Sequence, residues 1–257
     1  DAVGFADVGA EKPLKADALF WIASQSKPIT AAALMILADD GKLSIDDPVE
    51  KHLPEFKALR LLKGKELEKP NTPVTIRHIL AHTSGMPFSS AAEKPTLDAL
   101  PLADAVASYV KTPLLTEPGS AYRYSNAGIN TAGRIIEVVS GMPYETFLDK
   151  RLFAPLGMKD TTFWPNKEQL ARLAKAYRPA KDKLGLAETK IVQLRYPLDD
   201  RKRGPMPGGG LFSTADDVGR FCRMMLNKGT LDGKRVLSED AVKALTSKQT
   251  GPLKEGY

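Results

Sequence analysis

The apolar pattern changes period at residue 24. Phe20-Trp21-Ile22-Ala23 is a short continuous apolar run of the kind that forms a buried strand, and beyond it Thr30, Ala33, Leu34 and Leu37 recur at helical spacing. Pro28 has no N–H and a preset φ, so the first helical turn tolerates it, and Gly41 after Asp39-Asp40 is a C-terminal stop. The pattern predicts a strand-to-helix junction and a helix from about Ser24 to Asp40. That helix is apolar on most sides and should lie near the middle of the domain.

The same reading extends along the chain. Val3 to Asp7 resembles the tail of a strand, Ser44 to Val49 is turn chemistry, and residues 61–75 read as an exposed connection. A short helix follows over Val74 to Leu80, ending near His82. Leu102, Val106 and Val110 mark an amphipathic segment, and Ile129, Ala132, Ile136 and Val139, closed by Gly141, mark another helix. Pro143 opens a further helix, Lys167 to Ala176 forms one more, and a mainly helical lobe covers about 70–177. Residues 178–207 are a long irregular connection with one short strand around Ile191 to Leu194, placed to border a cleft. Gly208 to Gly210 form a tight turn before Thr214, which with Asp217 resembles a capping box. On the helix Ala215 to Leu226, the apolar face Val218, Phe221 and Met225 predicts that Cys222 is a buried small hydrophobe. A last helix spans Ser238 to Thr246.

Composition narrows the class without naming a function. At 257 residues, 42% hydrophobic and 26% charged, the chain can bury a sizeable core in one large domain or two intimate lobes. No run approaches the roughly 18 apolar residues of a membrane span, and no signal-peptide pattern is visible. The net charge of +6 concentrates at Lys63 to Lys69 and Arg201-Lys202-Arg203, without aromatic interleaving or a nucleic-acid motif, so no nucleic-acid partner is implied. The lone Cys222 excludes an internal disulfide and a thiolate-rich metal site. His52 and His78 lack partners at metal-ligand spacing, and there is no H-E-x-x-H, so neither metal nor cofactor is implied.

The candidate chemistry sits at the junction read first. Ser24 and Lys27 are three residues apart, which puts both side chains on one face of a first helical turn. Unpaired N–H groups and the positive end of the helix dipole there favour developing negative charge. Ser24 is therefore a candidate acylating serine with Lys27 on the same face; the plainer reading is a capping serine beside a solvated lysine. A second S-x-x-K, Ser108 to Lys111, closes its helix, where the dipole has the wrong sign, and reads as surface. Tyr124-Ser125-Asn126 also precedes a helix and reads either as a second piece of the same site or as a packed tyrosine before a capping asparagine. No G-x-S-x-G elbow supports a Ser-His-Asp hydrolase, and His82 reads as a loop histidine holding a turn.

Four motifs in order carry a family resemblance: Ser24-x-x-Lys27, His82-Thr83-Ser84-Gly85-Met86-Pro87, Tyr124-x-Asn126, and Gly208-Gly209-Gly210-Leu211-Phe212-Ser213-Thr214. Together they resemble the serine β-lactamase and penicillin-binding-protein superfamily. Tyrosine in the second catalytic motif makes the chain similar to the class C branch, with its β-lactamases, carboxylesterases and D-alanyl-D-alanine carboxypeptidases. The resemblance implies an α/β (α+β) fold: an antiparallel sheet flanked by helices, plus a helical lobe. It implies acyl transfer through a serine ester, with Ser24, Lys27 and Tyr124 catalytic and Asn126 holding Lys27 and the substrate. Burial lowers a lysine pKa and a nearby ammonium favours phenolate, so Lys27 and Tyr124 together can take and return the Ser24 proton. The Ser24 N–H would supply one oxyanion donor. Small esters, β-lactams and D-amino-acid peptides are the implied substrates, and the periplasm or exterior the implied location.

One motif departs from the family. The strand carrying K-T-G or H-x-G is missing: Lys248-Gln249-Thr250-Gly251 is a near miss that follows a helix, and the sequence stops at Gly256-Tyr257. The expectation is a sheet lacking segments at both ends, completed by further sequence or another chain. A non-catalytic penicillin-recognising protein on the same scaffold is the alternative function.

Overall fold

Two segments far apart in sequence meet at the predicted junction. Strand Phe20–Trp21 pairs antiparallel with Phe212–Ser213, with Phe20 opposite Ser213 and Trp21 opposite Phe212. The computed structural model describes residues 1–181 and 184–254; the chain end at Gly256-Tyr257 lies outside the described residues. Past the junction, helix Ser26–Asp39 buries Ile29, Ala32, Ala33, Leu34, Ile36 and Leu37, so it is apolar nearly all round, as a central helix must be. It packs against helix Asn126–Ser140 on one side and Glu239–Leu245 on another. Gly41, at φ +69°, makes the left-handed stop.

The described strands form five antiparallel pairs: Phe5–Asp7 with Lys12–Pro13, Phe20–Trp21 with Phe212–Ser213, Leu61–Lys63 with Glu66–Glu68, Ala176–Pro179 with Leu186–Thr189, and Thr230–Leu231 with Lys234–Arg235. Helices flank these short pairs, and the strands close into no continuous sheet among the described residues. This is the mixed α/β, β-lactamase-like arrangement with an incomplete sheet. Between Glu68 and Ala176 the described elements are all helical. No described helix is long and apolar enough to cross a membrane.

Several local expectations need correction. Within residues 61–75 lies a hairpin, Leu61–Lys63 with Glu66–Glu68, turning at Gly64 with φ +63°. In 178–207 the strands are Ala176–Pro179 and Leu186–Thr189, whereas Ile191 to Leu194 is a turn whose apolar side chains pack with Leu19, Leu198, Met206 and Phe212. Those hydrophobics signalled burial, which a turn satisfies as well as a strand. The helix begun at Lys167 ends at Ala171. Thr214 caps its helix by accepting from the Asp217 N–H, but the Asp217 carboxylate accepts from Asp160 N–H and Thr161 Oγ1–H rather than completing the box. Ser108 is half-buried, with its hydroxyl 2.7 Å from Ser90 Oγ, rather than on the surface.

Cys222 is exposed, against expectation. The buried side of helix Ala215–Leu226 is Asp217, Phe221 and Met224, because the hydrogen bonds to Asp217 roll the helix toward Asp160 and Thr161. At 100° per residue, Cys222 lies roughly 130° from the middle of that set.

The long connection is anchored by a buried ion pair. Arg203 Nε donates to Asp98 Oδ2 at 2.6 Å, and both residues are at most 2% exposed. Arg203 also donates to the Phe163 and Leu198 carbonyls, while Asp98 Oδ1 accepts from Arg195 N–H. Asp98→Ala would leave a buried guanidinium unpaired, and denaturant unfolding should register a loss of about 3–5 kcal/mol; a change below 1 kcal/mol would refute this anchoring. Native protein should react with a thiol reagent at Cys222 about as fast as denatured protein does, and protection until unfolding would contradict the exposed placement.

Candidate active site

The strand-to-helix turn presents Ser24 outward while burying its neighbours. Ala23 to Gln25 form a tight turn in which Ala23 takes φ +47°, a left-handed conformation rare for a residue with a Cβ. Long-range hydrogen bonds hold it there. The Ser26 hydroxyl donates to Ala23 O at 2.7 Å and accepts from Leu211 N–H at 3.2 Å, while Ile22 N–H donates to Leu211 O at 3.0 Å. The 208–213 segment thus braces the turn from outside. Ser24 stays exposed, and Ser26 and Lys27 are buried.

Lys27 reaches back along its helix to Ser24. Its Nζ lies 3.1 Å from Ser24 Oγ, donates to the Gly208 carbonyl, and sits 4.6 Å from the centroid of the Tyr124 ring. The residue is 7% exposed. Burial pulls its pKa below the usual lysine value, and interaction with the Tyr124 side chain opposes the shift.

The Tyr124-Ser125-Asn126 loop is shaped by the His82–Pro87 segment. Ser125 caps helix Asn126–Ser140, accepting from Gly128 N–H and donating to Pro87 O at 2.6 Å. Asn126 and Ala127 N–H groups both reach the Phe88 carbonyl. Gly85 permits the close approach: a Cβ there would stand 2.0 Å from Thr116 O. His82, at φ +58°, accepts from Ser125 N–H through Nδ1 at 3.2 Å, and its ring lies 4.6 Å from that of Tyr124. Burial and the Lys27 charge push the His82 pKa down to about 4, so at neutral pH the imidazole is uncharged with Nδ1 as an acceptor. His82 is the turn-holding residue the sequence suggested, and it also backs Tyr124.

Lys27 is therefore brought against both the Ser24 hydroxyl and the Tyr124 ring. Asn126 is beside them and 5% exposed, but its Oδ1 is buried with no hydrogen-bond partner, and the carbonyl on Lys27 is that of Gly208. Gly208 occupies the space between: a Cβ on it would meet Asn126 Oδ1 at 3.0 Å. The expected Asn126 contact to Lys27 is thus replaced by a backbone one. Sequence reasoning assigned the glycine run to turn structure and missed both this carbonyl and the bracing hydroxyl of Ser26. Only the three adjacent glycines hinted at a close backbone approach.

Beside Lys27 a cavity of about 280 Å³ runs along the helix past Pro28, Ala31 and Met35, with Leu80, His82 and Ile129 opposite. The remaining histidines have structural roles: His52 bonds Asp47 and His78 completes a cap with Thr75. Among the described residues no group of three or more His, Cys, Asp or Glu could hold a metal. The near-miss segment at Lys248 is tied to the preceding helix, Gln249 donating to Ala244 O and accepting from Arg77.

Comparison with known proteins matches the chain to a family. Residues 1–256 fit the family model described as Beta-lactamase. Protein Rv1367c of Mycobacterium tuberculosis is 34% identical over 95% of this chain and 62% of its own length. Esterase EstB of Burkholderia gladioli is 32% identical over 84% of this chain and 59% of its own. EstCE1, a hydrolase with promiscuous acyltransferase activity, superposes with a TM-score of 0.79 at 28% identity, covering 94% of this chain and 66% of that one. The chain thus spans about 60% of the length of these curated relatives. By the family match and the extent of these likenesses, the chain belongs to the beta-lactamase family.

Proposed function

We propose that the protein is a serine hydrolase that transfers an acyl group through Ser24, acting on a small ester, a β-lactam or a D-amino-acid peptide, with carboxylesterase or β-lactamase-like chemistry favoured. The observation that carries this reading is the contact of a buried amine with an exposed hydroxyl: Lys27 Nζ lies 3.1 Å from Ser24 Oγ. The named activities of EstB and EstCE1 support the same class.

In the proposed mechanism Lys27, as the neutral amine, takes the Ser24 proton while Oγ bonds to the substrate carbonyl carbon. The bond to the leaving group breaks as the tetrahedral intermediate collapses, and the proton passes from Lys27, by way of Tyr124, to the departing oxygen or nitrogen. Water then loses a proton to the same pair and attacks the acyl carbon, and Oγ regains its proton as the acid leaves. Asn126 is the proposed substrate contact: its unpartnered buried Oδ1 accepts a donor at little further desolvation cost. The Ser24 N–H, heading the helix, is one oxyanion donor.

Incubation with a fluorophosphonate or a penicillin should give a mass adduct on Ser24, absent from Ser24→Ala, and a p-nitrophenyl ester or nitrocefin should be turned over. A stable adduct without turnover would favour the binding-protein alternative, and no adduct at all would sink both. Because only the unprotonated amine accepts a proton, kcat/KM should climb with pH through the Lys27 pKa, which burial sets below 10.5. Lys27→Arg, permanently charged, should lose activity by roughly a hundredfold or more; near-parental activity in that variant would remove Lys27 from the chemistry.

A further inference from the structure

Helix Asn126–Ser140 carries Asn126, Asn130 and Gly133 on one face, and the turn at 206–210 lies directly on it. A Cβ on Gly133 would stand 2.4 Å from Pro207 Cγ. The peptide joining Pro207 to Gly208 is gripped from two helices. Its carbonyl, Pro207 O, accepts from Thr30 Oγ1 at 3.0 Å, and its N–H, on Gly208, donates to Asn130 Oδ1 at 2.9 Å. The next carbonyl, Gly208 O, is the one on Lys27 Nζ.

Behind Asn130 runs a row of buried groups. Asn130 Nδ2 donates to Tyr109 Oη at 2.8 Å, Tyr109 O–H donates to Glu93 Oε1 at 2.7 Å, and Glu93 Oε2 accepts from Ser90 N–H at 2.7 Å. Asn130, Tyr109 and Glu93 are 2%, 0% and 3% exposed. The row has one polarity. Burial raises the Glu93 pKa, while the bonds from Tyr109 and Ser90 favour its ionised form; as the carboxylate it only accepts, so the phenol donates to it, and the phenol oxygen is left to accept from the amide NH₂. That turns the Asn130 oxygen toward Gly208; the reverse orientation would set two donors against each other. The Gly208 N–H on one side and the Tyr109–Glu93 pair on the other thus agree on which way the amide faces.

We propose that Asn130, oriented by Tyr109 and Glu93, is a positioning residue that sets the Gly208 carbonyl and so holds the Lys27 amine against Ser24. Its bearing on catalysis rests on the reading of Lys27 as the base. Tyr124 and His82 are the titratable groups facing Lys27, with Arg77 across the adjoining cavity, and the variants below leave all three in place.

The test is the titration of Lys27 followed by NMR in protein labelled at lysine, with ester turnover and thermal unfolding measured on the same samples. A carbonyl acceptor favours the charged amine, so Asn130→Ala should lower the Lys27 midpoint by roughly one pH unit. On the high-pH plateau, where the amine is neutral in parent and variant alike, its kcat should fall roughly tenfold to a hundredfold while KM changes little. Tyr109→Phe, which keeps the amide but removes its orienting partner, should move the midpoint the same way by less. A purely structural role would lower the unfolding temperature and leave the midpoint alone. Folded Asn130→Ala with the parental midpoint overturns the proposal; if that variant does not fold, an unmoved midpoint in Tyr109→Phe does so. A shifted midpoint combined with near-parental turnover in Lys27→Arg would retain the positioning and reject Lys27 as base, so the two readings fail separately.

Discussion

A lysine amine almost out of water is the constraint around which this molecule is arranged. Taking an ammonium group from solvent costs on the order of several kcal/mol unless its protons find acceptors, and Lys27 is 7% exposed. Its partners come from three separated stretches: Ser24 on the same helical turn, the Gly208 carbonyl 181 residues on, and the ring face of Tyr124. Each has to be delivered to within hydrogen-bonding or ring-contact distance. Most of the structure near the junction can be read as the means of delivering them.

The three deliveries differ in kind. Ser24 arrives through local geometry, a left-handed Ala23 held by the Ser26 hydroxyl against a neighbouring strand. Tyr124 arrives through a loop whose Arg123, Ser125, Asn126 and Ala127 N–H groups are met by His82 and Phe88, which holds the loop in place although the tyrosine is 41% exposed. Gly208 arrives on a turn laid against helix Asn126–Ser140 and locked by Thr30 and Asn130. The same burial that makes Lys27 demanding lowers its pKa, the direction that its proposed role as a base calls for.

Much of this was legible from residues alone. The shift from a strand-like to a helical period at Ser24, the glycine stop at Gly41 and the helix start after Tyr124 are short-range signals, and the structure places each element within a residue or two of where they fall, with Ser125 rather than Asn126 as the cap. Misreadings arose where a local signal had two outcomes. Ile191 and Leu194 had to be buried, and only packing against Leu19 and Phe212 decided that a turn would bury them. Cys222 lay beside an apolar face whose true centre was set by the hydrogen bonds of Asp217 to a distant loop. Ser108 had a plausible surface position until Ser90 was brought against it.

The sequence by itself determined which residues stand three or four apart on a helical turn, and therefore that Ser24 and Lys27 share a face and that Asn126 and Asn130 share another. Such spacings follow from backbone geometry and need no partner. Only the tertiary structure decided that a glycine carbonyl, rather than the Asn126 amide, accepts from Lys27, and that a buried row from Glu93 stands behind that carbonyl. Those contacts join segments whose separation is set by how helices pack, and a hydrogen bond is lost within an ångström of misplacement, a tolerance that no local pattern encodes.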